Sequence, residues 1–115
     1  MEYAFDHLGS TVLVVLGHTK CGAVTAACSG EKMPTPNLQA MVDQIEPAVT
    51  KMKQSATGDA LIEAAIKENV HESAMNVVAQ SEVLRRAKEQ GKLTIIEAEY
   101  QLDTGKVIRL DQSGQ

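Results

Sequence analysis

At 115 residues the chain is long enough for one domain with a modest core. It is 43% hydrophobic but only 3% aromatic, with no Trp, so that core has to be built from Val, Ile, Leu, Ala and Met. A formal net charge of −4 with scattered Lys and Arg argues against a nucleic-acid or anionic-membrane surface, and no apolar run reaches the roughly 18–20 residues of a membrane span.

Residues 1–8 read as a short helix with Tyr3, Ala4 and Leu8 apolar and Gly9-Ser10 as its stop. No cap precedes that helix, the pattern of a chain whose front end is missing. The N-terminus lacks a signal peptide's charged and apolar regions, so a cytoplasmic location is expected. Residues 11–16 follow as an apolar, mostly β-branched strand, expected to be buried on both faces. A turn leads into a small-residue helix ending near Ser29, with Gly17 and Gly22 expected to let the backbone turn sharply. Pro34 and Pro36 mark a loop. Asn37 is expected to cap a helix to about Ser55, with Leu38, Met41, Val42, Ile45 and Val49 at helical spacing and a kink at Pro47. Asp59 is expected to cap a longer helix whose stripe is Leu61, Ala65, Ile66, Val70, Ala74, Val77 and Val78, and Ser81 to start a last helix stopped by Gly91.

Residues 93–100 and 106–110 read as strands joined by the turn Asp103-Thr104-Gly105, and 112–115 as a polar tail. The order predicts an α/β fold in one domain over residues 1–115: a small, about three-stranded, mainly parallel sheet with flanking helices and a C-terminal hairpin. Three strands leave a segment as apolar as residues 12–16 short of neighbours and cover, so oligomerisation is expected to complete the sheet.

The chemistry concentrates at Gly17-His18-Thr19-Lys20-Cys21-Gly22, just beyond the first strand, where open α/β sheets bind ligands. His18 and Cys21 are three apart, and imidazole nitrogen with thiolate sulfur suits zinc. Cys21 opens the next helix, whose positive end favours a thiolate. Two ligands are fewer than the three or four of ordinary zinc sites, and a packed cysteine beside a polar turn histidine is the alternative. Cys28 lies two turns down the helix, about 10 Å away, too far to share a metal or a disulfide with Cys21. His7, His71, Asp6 and Glu97 are further donors by type, though surface positions account for them more simply. Asp43, Glu46 and Glu63 read as solvated, and Met41, Met52 and Met75 as core gap-fillers. No phosphate-cradling glycine loop is present.

Glu2-Tyr3-Ala4, His7-Leu8-Gly9 and the run from Val14 through His18-Thr19-Lys20-Cys21-Gly22-Ala23-Val24 resemble the central segment of the β-class carbonic anhydrases. Glu68-Asn69-Val70 resembles that family's later helix, and Tyr100-Gln101-Leu102-Asp103-Thr104-Gly105-Lys106-Val107 its closing hairpin. The resemblance implies a sheet flanked by helices, a dimer as the minimal unit, and Zn2+ held by two cysteines and a histidine for the hydration of carbon dioxide to bicarbonate. His18 and Cys21 match the second and third ligands; the first cysteine and an aspartate-arginine pair belong to an earlier strand with no counterpart in this sequence. A truncated homologue, weakly active or inactive alone, is therefore the leading expectation. The alternatives are a zinc-bridged homodimer of Cys₂His₂ type, a metal-free dimerisation or regulatory module that can pair with a full-length paralogue, and a carbonyl sulfide or carbon disulfide hydrolase. Glu97 stands where the family usually carries glycine.

Overall fold

The computed structural model describes residues 1–111, so the expected polar tail at 112–115 lies outside the described residues. Five helices and three strands follow in the order α1 (Glu2–Leu8), β1 (Val12–His18), α2 (Gly22–Ser29), α3 (Pro36–Met52), α4 (Gly58–Gln80), α5 (Glu82–Glu89), β2 (Thr94–Tyr100) and β3 (Val107–Arg109). Helix starts fall slightly earlier than Asn37 and Asp59 suggest. Thr35 caps α3 by accepting the Leu38 N–H at 3.2 Å, and Pro36 occupies the first turn, where its missing N–H costs nothing. Thr57 is the N-cap of α4, which puts Asp59 in the first turn, and α3 continues through Pro47. Ser81 caps α5 as expected, accepting the Leu84 N–H, and its hydroxyl also donates to Glu2 Oε2, tying α1 to α5.

The sheet order is β1-β2-β3, with β1 parallel to β2 and β2 antiparallel to β3. Parallel partners share a face, so Leu13 with Ile95, Val15 with Glu97 and Gly17 with Glu99 point one way. Helices α4 and α5 cover that inner face. Leu13 and Ile95 pack on Leu84, Ala87 and Leu93, while Gly17 meets Val70 and Ile66. A second cluster of Val24, Ala27, Val42, Val49, Ala65 and Ile66 joins α2, α3 and α4.

On the outer face the expectation of a strand buried on both sides is corrected. Val12, Val14 and Leu16 are 53%, 50% and 53% exposed, and β1 alternates between half-covered and open positions. The run is apolar throughout, yet this chain brings helices to one side of β1 only. Met41 and Met75 are also exposed on helix surfaces rather than filling core gaps.

Candidate metal centre

The backbone between β1 and α2 places His18 on the last residue of the strand and Cys21 on the N-cap of α2, extended at φ −67° and ψ 118°. Thr19 anchors the turn between them. Its N–H donates to Tyr100 O at 3.0 Å, its Oγ1 accepts the Leu102 N–H at 3.0 Å, and the residue is buried. The sharp change of direction falls on Lys20, in the left-handed region at φ 55°, and not on the two glycines. Gly17 serves packing instead. A Cβ there would lie 2.6 Å from Val70 Cγ2, so its bare backbone lets β1 close onto α4, whereas a Cβ on Gly22 would meet nothing within 4 Å.

His18 Nδ1–H donates to Thr19 O at 2.9 Å, which fixes the tautomer and leaves Nε2 as a lone-pair donor on an exposed ring. Cys21 is a free, half-buried thiol at the amino end of α2, and its carbonyl accepts both the N–H and the hydroxyl of Thr25. Cys28, like Cys21, packs against the core cluster, and burial pushes its thiol up, which disfavours the thiolate that metal binding needs. His18 and Cys21 fit zinc in donor chemistry. Among the described residues, however, no three His, Cys, Asp or Glu side chains gather where they could hold a metal ion.

The remaining candidates go elsewhere. His7 faces Asp6 across 3.9 Å on the exposed surface of α1 and stacks near Tyr3. His71 and Glu97 meet each other: Nδ1–H donates to both carboxylate oxygens, at 3.0 and 3.2 Å, so Glu97 is a paired rather than a solvated acid. Sequence reasoning missed Glu99. It lies opposite Gly17, is 2% exposed, and has a buried Oε2 without a hydrogen-bond partner. Burial, and then the Glu63 carboxylate, push its carboxyl up from the usual range, against weaker pulls from Lys67 and His18. Alternation along β2 could have placed Glu99 on the Glu97 face, but only the packing of α4 buries it.

The carbonic anhydrase family profile matches residues 1–107, spanning β1, the turn and the start of β3. The chain belongs to the β-carbonic anhydrase family. Carbonic anhydrase 2 of Mycobacterium tuberculosis is 30% identical over 117 residues, covering 99% of this chain and 56% of that protein. Among solved structures, the β-carbonic anhydrase CcaA superposes with a TM-score of 0.81 at 23% identity, over 96% of this chain and 52% of its own. A tetrameric β-carbonic anhydrase from Sordaria macrospora gives 0.78 at 19% identity, over 96% and 57%. At those identities the two structures establish the shared fold alone. The chain spans about half the length of the β-carbonic anhydrases it matches.

Proposed function

We propose that His18 and Cys21 are two of the protein donors to a zinc ion, and that the assembled protein catalyses the reversible hydration of carbon dioxide to bicarbonate. The observation that carries this reading is the turn itself. His18 is the last residue of β1 and Cys21 the N-cap of α2, and the Thr19 carbonyl occupies His18 Nδ1, which leaves Nε2 uncommitted on an exposed ring. A zinc ion there would supply the Lewis acid that generates a nucleophile from water near neutral pH. The chain's own part is to orient the imidazole through its Nδ1 hydrogen bond and to set the Cys21 sulfur at the amino end of α2.

Two donors leave the shell incomplete. The outer face of β1 runs Val12, Val14, Leu16, His18, an apolar stripe ending at the candidate ligand. We therefore assign that face to a second copy of the chain. Elemental analysis of protein purified without added metal tests the reading: about one zinc per chain is expected, lost in Cys21→Ala, and accompanied by carbon dioxide hydration in stopped-flow assays. Protein that folds and assembles but holds no zinc would overturn it.

The same incomplete shell favours a second reading, in which two copies share one zinc through paired His18 and Cys21 as a closed, non-catalytic Cys₂His₂ bridge. That arrangement gives about half a zinc per chain, and Cys21→Ala then weakens the dimer.

A further inference from the structure

We propose that the β2–β3 hairpin, acting through Thr19, sets which nitrogen of the His18 ring is left free, with Thr19 as a positioning residue. The link runs through one peptide group. His18 Nδ1–H donates to the Thr19 carbonyl at 2.9 Å, and that carbonyl lies in the rigid peptide plane joining Thr19 to Lys20. Turning the plane swings the carbonyl away from the ring and changes ψ of Thr19 together with φ of Lys20. Lys20 is the one non-glycine residue at positive φ among the described residues, at 55°. The carbonyl is therefore aimed at His18 by a backbone conformation that is unfavourable for any residue with a Cβ.

Such a conformation persists where its surroundings hold it. The exposed Lys20 side chain offers no packing for that purpose. Thr19 does the holding. It is 9% exposed, its N–H donates to Tyr100 O at 3.0 Å, and its Oγ1 accepts the Leu102 N–H at 3.0 Å. Leu102 sits inside a closed turn, in which Gln101 N–H donates to Lys106 O and Gly105 N–H to Gln101 O, both at 2.8 Å. Two of the polar groups of Thr19 are thus committed to the hairpin and the third to the histidine.

A neutral imidazole carries one ring proton, so a carbonyl at Nδ1 reserves that proton and leaves Nε2 with its lone pair. Without the carbonyl, the proton is free to sit on Nε2 and block it. The consequence for zinc rests on the reading of His18 as a metal donor; the consequence for the ring tautomer does not.

The test uses the full chain and two readouts: nitrogen NMR of the metal-free His18 ring at alkaline pH, where imidazole is neutral, and zinc affinity by competition with a chromogenic chelator. Thr19→Val keeps the shape and removes the hydroxyl; it is expected to lower the Nδ1–H population and to weaken zinc about tenfold. Thr19→Ser keeps the hydroxyl and is expected to match the parent in both. Adding Lys20→Gly to Thr19→Val removes the cost of positive φ and is expected to recover most of the loss. Should Thr19→Val fold poorly, as circular dichroism would report, Lys20→Val raises the cost of positive φ at an exposed position and is expected to shift the ring the same way. A parent-like tautomer in folded Thr19→Val or Lys20→Val, a Thr19→Ser as impaired as Thr19→Val, or no recovery with Lys20→Gly would overturn the proposal. If the tautomer follows this pattern while the parent binds no zinc, the zinc reading fails and the coupling stands.

Discussion

Gly17 and Glu99 sit opposite each other on the inner face of the sheet, and each shows how one residue constrains the site. Adding a methyl at Gly17 drives it into Val70. Gly17→Ala is expected to lower stability by about 1–3 kcal/mol in urea denaturation, the usual cost of overpacking. An unchanged midpoint would mean that Val70 rotates aside without cost. Glu99 acts through charge. Its folded carboxyl titrates above its unfolded one, so the folded state binds more protons between the two values. Stability is therefore undiminished below the ordinary carboxylate pKa of 4.5 and declines as pH rises from there through the raised folded value. Glu99→Gln should flatten that decline and stabilise the protein near neutral pH. Denaturation midpoints for both proteins from pH 4 to pH 8 check this, and parallel curves would refute it.

The decisive element is the β1–α2 turn, whose shape depends on a threonine rather than on its glycines. Thr19 joins the turn to β2 through Tyr100 O and to the following hairpin through Leu102 N–H. Thr19→Val keeps the shape but leaves the Leu102 N–H unmet, and a loss of about 1–2 kcal/mol is expected. Faster hydrogen exchange at Leu102, with β1 amides still protected, would locate the damage in the hairpin. Helix and strand types were readable because periodicity, caps and breakers act over neighbouring residues, as the α4 stripe and the Ser81 cap show. The threonine bridge was not readable, because Thr19 and Leu102 are 83 residues apart.

Across the whole molecule, the helices concentrate on one side of the sheet and leave the Val12, Val14 and Leu16 stripe open. Exposed stripes of this kind mark association surfaces. Val14→Lys is expected to shift the chain towards monomer in sedimentation equilibrium without disturbing its helical circular dichroism, since Val14 is half exposed in the single chain. Self-association unaffected by this charge would move the interface elsewhere.

The order of elements, the α/β class, the parallel pairing with a terminal hairpin and the family itself were all legible in the residues, because each rests on local pattern or a contiguous motif. His18 and Cys21 stood out for the same reason: they are three residues apart, at a strand end and the N-cap of the next helix. Tertiary structure decided the rest. It chose which face of β1 is covered, paired Glu97 with His71, buried Glu99 and left Glu68 Oε2 unmet. Those outcomes depend on where α4 crosses the sheet, and a carboxylate's neighbours across such a crossing leave no trace in the spacing of the chain that carries it.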